Sequence, residues 1–516
     1  MPSRTRFSAM LLLSCVLIWG GTSYAEVKLP AVISENLVLQ RGMKVPIWGT
    51  ADEGEEVIVT LGDQKAAAKA GADGKWQVKI GPLEAGGPFT MTVAGKNSIE
   101  IKNVLVGEVW ICSGQSNMEM STGGCMNAKD EIAAADYPKI HLFTVPNTVA
   151  ATPQANCGGN WAECSPKTVG GFSGVAYFFG RELFKTLNVP IGLIHTSWGG
   201  TPAESWTSKP ALEADPDYRP ILDRFAKRLE DYPKAKENFA KQSEQWQVAA
   251  EKAKAEGKIA PKKPNPPGDP TRDPWMPSGL YNAKIAPLVP SGIQGAIWYQ
   301  GESNADRAYQ YRKLFPAMIQ DWRKNWAQGD FPFVWVQLAN FMARKAEPGP
   351  SDWAELREAQ QMTLSLPKTG TALAIDIGDA RDIHPKNKQE VGRRLALAAL
   401  AIAYGKDIPF SGPLYDSMTV EGSAIRLKFK HVNGGLVSKG EKLAGFAIAG
   451  EDKNFVWADA KLDGEAVVVS SPKVERPVAA RYAWANNPEV SLYNKAGLPA
   501  SPFRTDDWDG VTKGKQ

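Results

Sequence analysis

The chain has 516 residues, which is too long for one ordinary domain and predicts two or three. Hydrophobic residues make up 43% of it and charged residues 22%, as in a globular protein. The 60 basic and 56 acidic side chains are interspersed and leave a formal net charge of +4, so no strong field indicates a nucleic-acid partner or a membrane surface.

Residues 1–25 have the build of an export signal. Two arginines precede an apolar run, and the tripeptide SYA that ends at Ala25 provides a small-residue cleavage site. We therefore predict an exported protein, periplasmic or secreted, that is cleaved near Ala25. A lipoprotein signal through Cys15 is the alternative, although the apolar run continues past that cysteine. No later stretch approaches the ~20 apolar residues of a membrane helix, so no membrane span is expected in the mature chain.

Four cysteines follow the signal, at Cys112, Cys125, Cys157 and Cys164. An even number in an exported chain permits two disulfides with several connectivities. Cys157 and Cys164 flank the short segment GGNWAE and are the expected pair, whereas Cys112 lies in an apolar strand and equally fits a buried free thiol. The Cys and His spacings do not resemble a zinc site, so no metal is predicted.

Residues 27–104 alternate between apolar and polar side chains in short runs. The runs at 57–61, 76–80 and 89–93 have the period of strands, and Asp73-Gly74 is a hairpin signal. Together they predict a small β-sandwich domain without evident chemistry.

From residue 105 to 406 the pattern changes to apolar strands that end in polar or glycine-rich turns and are separated by longer connections. The pairs are VWIC before SGQSN, PIGLI before HTSWGG, AIWY before QGESN, FVWVQL before ANF, and ALAID before IGDARDIHP. This order predicts an α/β domain with parallel βαβ units, whose polar turns meet at the carboxyl edge of the sheet.

An insertion of different character occupies residues 209–273. Ile221, Phe225 and Leu229 recur at helical spacing among lysines and glutamates, and a proline-rich segment closes the insertion. We predict a helical hairpin packed on the domain, with a cap over the site as the alternative. After Gly405 the strand alternation returns, which predicts a C-terminal β region over residues 407–516.

The candidate catalytic residues follow from the scarcity of histidine, of which the chain has four. His384 lies in the segment DIHP, directly before a helix and at the edge where the strand ends converge. A serine becomes a good nucleophile when a histidine takes its proton, and a carboxylate orients that histidine. Ser116 in the turn GQSN, His384 and Asp382 supply these three groups.

Several residues compete for the same roles. Ser113 precedes Ser116 but lies nearer the strand, and His195 ends a strand on the same edge without a carboxylate close in sequence. Asp376 or Asp379 could replace Asp382 as the orienting acid. The remaining histidines are interpreted as structural.

A serine that attacks a carbonyl carbon also needs donors for the oxyanion that forms on attack. The backbone amides of Ser116 and of Gly199 or Gly200 are candidates, and Gln300 could offer its side-chain amide. Asn282 and Glu302 are candidate substrate-binding residues. Aromatic side chains near these turns could stack on a sugar ring, at Trp198, Trp206, Trp275, Trp298 and Tyr299.

The motifs SGQSNMEM, HTSWGGTPAESW, WYQGESN and DIHPKNKQEVGRRLA occur in this order, and the closing segment runs from ARYAWANN to RTDDW. Together they resemble the sialate O-acetylesterase group of the SGNH (GDSL-like) hydrolase superfamily over nearly the whole mature chain. The resemblance implies a three-layer α/β/α hydrolase domain with a parallel sheet, flanked by the two β regions. It also implies Ser116 as nucleophile, His384 as base and Asp382 as its orienting acid.

The same resemblance implies an oxyanion hole from the amides of Ser116 and Gly200 or Gly199 with the Gln300 side chain, and no cofactor. The wider superfamily usually has Asn in its third block and DxxH in its last. Here those blocks read Gln300-Gly301-Glu302 and Asp382-Ile383-His384, which leaves the third donor open.

The predicted function is that of a serine carboxylic-ester hydrolase that removes O-acetyl groups from sialic acids through an acetyl-enzyme, without a metal. Its partner is then an O-acetylated sugar or glycan. One alternative is an acetylesterase for xylan or another polysaccharide, because the catalytic groups recognise the acetyl group and say little about the sugar. The other is a non-catalytic glycan-binding protein.

Overall fold

The computed structural model describes residues 26–516, so the predicted export signal lies outside the described residues. The strands are β1 (Val38–Gln40), β2 (Val45–Thr50), β3 (Glu56–Leu61), β4 (Gln64–Lys69), β5 (Lys75–Ile80), β6 (Gly86–Ala94), β7 (Ser98–Gly114), β8 (Tyr137–Thr144), β9 (Trp161–Cys164), β10 (Ile191–His195), β11 (Gly295–Tyr299), β12 (Phe333–Gln337), β13 (Thr369–Leu373), β14 (Leu414–Glu421), β15 (Ala424–Lys430), β16 (Leu436–Ser438), β17 (Phe446–Ala449), β18 (Val456–Trp457), β19 (Asp459–Asp463), β20 (Ala466–Ser470), β21 (Ala479–Tyr482), β22 (Leu492–Asn494) and β23 (Phe503–Arg504). The α-helices are α1 (Ser116–Glu119), α2 (Ala128–Ala133), α3 (Gly174–Leu187), α4 (Lys209–Glu213), α5 (Arg219–Ala255), α6 (Ala308–Trp326), α7 (Asp352–Met362) and α8 (Lys388–Tyr404).

The centre of the molecule is a mixed sheet with the strand order β13-β12-β11-β7-β10-β8-β9. Neighbouring strands run parallel except at one edge, where β9 is antiparallel to β8. Every residue of β10, β11 and β12 is buried, which explains why these strands read as near-continuous apolar runs in the sequence. Their carboxyl ends lie at one edge, as the strand pattern predicts.

Strand β7 joins the N-terminal β region to this sheet. Its first half pairs with β6 and β1, and its second half pairs with β10 and β11. The division predicted after residue 104 therefore falls inside one continuous strand. Side chains from the N-terminal strands and from the central sheet share a single hydrophobic core.

The insertion differs from the predicted helical hairpin. It contains the short helix α4 and one 37-residue helix, α5, followed by an irregular return segment that reaches residue 269. No glycine occurs in the insertion before Gly257, and α5 accommodates the single interior proline, Pro233, whereas the prolines clustered at 261–270 exclude a second helix. The return packs on the helix where the Trp246 indole donates to the Pro261 carbonyl at 2.7 Å.

The C-terminal region consists of additional antiparallel sheets with the orders β14-β15-β20-β19, β18-β17-β21-β23 and β16-β22. Ile425, Leu427 and Phe429 point to one buried face, as their alternation predicts. They belong to a second hydrophobic core that is formed mainly by this region.

The cysteines are all free thiols in residues 26–516, so the predicted Cys157–Cys164 disulfide is wrong. Cys164 is buried at the end of β9, whereas Cys157 lies in an irregular segment ahead of that strand. Cys112 is a fully buried thiol in β7, the alternative that its apolar strand allowed. Burial raises the pKa of Cys125 and Cys157 to about 11.

None of the helices in residues 26–516 is both long and apolar enough to cross a membrane.

Candidate active site

Ser116 is delivered to the sheet edge by a sharp turn at the end of β7. Gly114 has φ of +140°, and a β-carbon there would lie 2.1 Å from the Tyr299 carbonyl oxygen, so only glycine fits. The next amide, of Gln115, donates to the same carbonyl at 2.9 Å. The chain then enters α1 directly and places Ser116, half-buried, at the first helical position.

His384 reaches Ser116 from the loop between β13 and α8. Its Nε2 lies 2.9 Å from Ser116 Oγ, although the two residues are 268 positions apart in the chain. The His384 amide donates to Asp382 Oδ1 at 2.9 Å, and the ring atom Nδ1 lies 3.5 Å from that same oxygen. The structure therefore brings a serine, an imidazole and a carboxylate together at one edge.

The rival groups have other partners. The Ser113 hydroxyl is fully buried and donates to the Thr196 carbonyl at 3.2 Å. Asp376 forms a two-point ion pair with Arg394 at 2.6 and 2.9 Å. Asp379 accepts the Arg381 amide at 2.8 Å within its own turn.

His195 lies in the interior rather than at an accessible position. Its Nε2 is within hydrogen-bond distance of the Ser197 hydroxyl, and its Nδ1 has no partner in residues 26–516. Burial, with a smaller contribution from the Lys284 charge, lowers the pKa of His195 to about 3. This imidazole is neutral at ordinary pH, and its position agrees with a structural interpretation.

The turn after β10 places two glycine amides near Ser116. The Gly199 amide donates to Glu119 Oε2 at 2.6 Å, and a β-carbon on Gly199 would lie 3.3 Å from the Ser116 β-carbon. Gly200 has φ of +71°, and no acceptor in residues 26–516 takes its amide. The geometry thus distinguishes the two glycines, because among the described residues the Gly199 amide has an acceptor and the Gly200 amide has none.

Glu119 belongs to a polar network that sequence reasoning missed. Its Oε1 accepts from the Asn147 side chain at 3.1 Å, and Asn147 accepts in turn from the Lys284 ammonium group. Lys284 also donates to the Ser197 carbonyl at 3.0 Å, and burial lowers its pKa to about 7. Glu119 stands within the motif SGQSNMEM, which was the available signal, whereas no local pattern indicates Lys284.

The side chains of three expected site residues form hydrogen bonds within the protein instead of facing Ser116. The Gln300 amide is fully buried and donates to Thr201 O and Asn304 Oδ1, so it does not present a free donor to Ser116. Asn282 is buried and donates to the Ala150 carbonyl at 3.0 Å. The carboxylate of Glu302 also points inward, where its Oε1 accepts from the Asn117 amide at 2.6 Å.

The aromatic residues proposed for sugar stacking divide by exposure. Trp206, Trp298 and Tyr299 are fully buried and pack within the core. Trp275 is exposed and Trp198 is half-buried, so these two remain able to contact a ligand.

Comparison with known proteins identifies the family. A family model described as carbohydrate esterase, sialic acid-specific acetylesterase, matches residues 106–255 and 268–401. The chain belongs to this family. The resemblance inferred from the motifs is therefore confirmed, and this acetylesterase family member is a carboxylic ester hydrolase.

Relatives of this acetylesterase family member cover nearly its whole length. A sialate O-acetylesterase from Rattus norvegicus is 31% identical over 91% of this chain and 93% of its own, and one from Homo sapiens is 30% identical over 95% and 94%. The crystal structure of a carbohydrate acetylesterase from Xanthomonas citri superposes with a TM-score of 0.80 at 36% identity, over 93% of this chain and all of that one.

Proposed function

We propose that the chain is a sialate O-acetylesterase, which hydrolyses O-acetyl esters of sialic acids with Ser116 as nucleophile. The proposal is supported by the family, by the curated relatives that carry this activity in their names, and by the arrangement of Ser116, His384 and Asp382. The hydrogen bond between Ser116 Oγ and His384 Nε2 is the single observation on which the mechanism depends.

The reaction follows from the positions of these atoms. His384 Nε2 takes the hydroxyl proton as Ser116 Oγ attacks the acetyl carbonyl carbon, and Asp382 supports the charge on the imidazole. The tetrahedral oxyanion is stabilised by the Ser116 and Gly200 amides. His384 then protonates the departing sugar oxygen, which leaves an acetyl group on Ser116. Water, deprotonated by the same histidine, attacks this ester and releases acetate and the free serine.

The test is acetate release from O-acetylated sialic acid by the wild-type protein and three variants. Loss of a triad member typically lowers kcat by several orders of magnitude, so Ser116→Ala and His384→Ala should each abolish measurable turnover. His195→Ala should retain far more activity, because its ring faces the interior. Equal turnover by Ser116→Ala and the wild type would refute the mechanism.

A broader acetylesterase activity is the second candidate. It is favoured by the Xanthomonas citri neighbour, whose description names a carbohydrate acetylesterase without specifying the sugar. Parallel assays of acetate release from O-acetylated sialic acid and from acetylated xylan distinguish the two. A non-catalytic glycan-binding role is disfavoured by the Ser116–His384 hydrogen bond, which binding alone does not require.

The export signal and the domain boundaries are part of the same proposal. We assign residues 1–25 to an export signal that directs the protein to the periplasm or the medium, 27–104 to a β-sandwich, 105–406 to the catalytic domain with its insertion at 209–273, and 407–516 to a C-terminal β region. A three-layer α/β/α catalytic domain is supported by α3 packing against α8 and α6 packing against α7, beside the central sheet.

A further inference from the structure

Asn117, the residue after Ser116, lies in a buried polar cluster beneath the candidate active site. Its side chain is 1% exposed and has partners on three different segments. Asn117 Nδ2 donates to Glu302 Oε1 at 2.6 Å and to the Ile383 carbonyl at 3.1 Å. Its Oδ1 accepts from the ammonium group of Lys388, at the start of α8.

The two charged members of this cluster act on opposite ends of the Asn117 amide. Lys388 is fully buried, with its ammonium group 5.0 Å from the centroid of the Tyr299 ring, and Glu302 Oε2 is buried and has no hydrogen-bond partner among residues 26–516. A cation at the amide oxygen and an anion at the amide nitrogen polarise the group in the same direction. The Lys388 cation at the amide oxygen makes Nδ2 a stronger donor to the Ile383 carbonyl, and the bond to Glu302 fixes the orientation of the amide.

Burial and mutual attraction have opposite effects on the pKa of Lys388 and on that of Glu302. Burial lowers the pKa of Lys388 to about 8, and the Glu302 carboxylate opposes that shift. Burial raises the pKa of Glu302, and the Lys388 ammonium opposes that shift as well. Each charge therefore favours the charged form of the other.

The contact with Ile383 joins the two halves of the site. Asn117 is adjacent to Ser116, and Ile383 is adjacent to His384, whose side chain is 39% exposed on its loop. A single side chain thus holds together the two backbone segments that carry the reacting oxygen and nitrogen. Without it, the His384 loop would lose a direct link to the nucleophile turn.

We propose that Asn117, held between Glu302 and Lys388, is a positioning residue that keeps His384 Nε2 at hydrogen-bond distance from Ser116 Oγ by binding the Ile383 carbonyl. The inference rests on the proposed function, because it assigns a role in the same ester hydrolysis. Neither Glu302 nor Lys388 touches the substrate in this role.

The test compares Asn117→Ala with the wild type on two acetyl esters. An O-acetylated sugar needs His384 both to activate Ser116 and to protonate the leaving alkoxide, whereas 4-nitrophenyl acetate has a leaving group that departs unprotonated. A misplacement of ~1 Å can cost about 100-fold in rate, so kcat for the sugar ester should fall by about that factor with KM little changed. The loss on 4-nitrophenyl acetate should be clearly smaller.

Rates are normalised to reactive serine by titration with a fluorophosphonate, which removes the contribution of unfolded protein. Glu302→Gln keeps an acceptor for Asn117 but removes the charge. Its rate loss on the sugar ester should be about one tenth of that in Asn117→Ala, and its loss on 4-nitrophenyl acetate should again be smaller. Glu355→Gln is the matched control, because this buried glutamate binds the C-terminal tail through Val511 and Thr512. It should change thermal stability while the ratio of the two normalised rates stays at the wild-type value.

Equal losses on both esters, or no loss per reactive serine, would overturn the positioning role. If Asn117→Ala does not fold, an unchanged rate ratio in Glu302→Gln overturns it in the same way. Failure of the proposed function is a separate result, since the wild-type protein would then release no acetate from the sugar ester.

Discussion

At the scale of single residues, Gly199 shows how little space separates the parts of the candidate site. A β-carbon at this position would lie 2.8 Å from Glu119 Oε2 and 3.3 Å from the Ser116 β-carbon. Glycine therefore allows the turn after β10 to approach the nucleophile while its amide donates to Glu119. Gly200 differs, because a β-carbon there would meet no atom within 4 Å.

We expect Gly199→Ala to lower kcat by at least 10-fold, because the methyl group must displace either the Glu119 carboxylate or Ser116. Gly200→Ala has space but requires an L-residue at φ of +71°, so it should mainly lower stability, by about 1 kcal/mol. Steady-state kinetics and thermal unfolding of both variants check this contrast. Wild-type activity in Gly199→Ala would contradict the geometry of the turn.

At the scale of an element, the position of strand β10 explains the lowered pKa of its last residue, His195. The strand lies between β7 and β8, and all five of its residues are buried. His195 therefore has a pKa lowered to about 3 by burial, while the unfolded chain has an ordinary histidine. The unfolded state then binds a proton at a higher pH than the folded state does.

The consequence is a loss of stability in acid. Above pH 6.5 both states are neutral at His195, and as the pH falls from 6.5 towards 3 only the unfolded state gains the proton. This residue alone should cost about 2 kcal/mol at pH 5. Urea unfolding of the wild type and of His195→Gln at pH 7 and pH 5 measures it, with the smaller decrease expected in the variant. Equal decreases would show that His195 is not a neutral buried group.

At the scale of the whole molecule, Arg357 connects the catalytic sheet with the C-terminal region. It is fully buried in α7, and burial lowers its pKa to about 9. Its guanidinium group donates to four backbone carbonyls, of Leu338 at 2.9 Å, Ala339 at 2.8 Å, Ala485 at 2.7 Å and Asn486 at 3.0 Å. The first two follow β12, and the last two lie beyond β21, so one side chain bridges two regions with different hydrophobic cores.

Arg357→Ala should destabilise the protein by about 3 kcal/mol or more, because it leaves buried carbonyls without donors. The C-terminal region should then unfold in a separate, earlier calorimetric transition. Arg426→Ala is the control, since it removes the ion pairs to Glu421 and Asp463 at the surface of the C-terminal region. A single transition in Arg357→Ala with an unchanged midpoint would rule out this connection.

The sequence by itself determined the elements whose signals are local. Strand period, the polar turns after apolar strands and the motifs around Ser116 and His384 indicated an α/β domain with hydrolase chemistry, and Asp382 lies two residues before the histidine that it contacts. The single long helix α5 was predicted as a helical hairpin, because a helix-forming composition does not specify where a helix ends and the chain turns back.

Only the tertiary structure decided which polar groups face the site and which face the interior. Gln300, Glu302 and Asn282 stand in or near the motifs, but their side chains bond to the protein, whereas the Gly200 amide has no acceptor within the described part of the chain. The free thiols of Cys157 and Cys164 and the Asn117 cluster were equally invisible in sequence. Hydrogen-bond partners and burial depend on segments hundreds of residues apart, and a local pattern carries no information on which of those segments will meet.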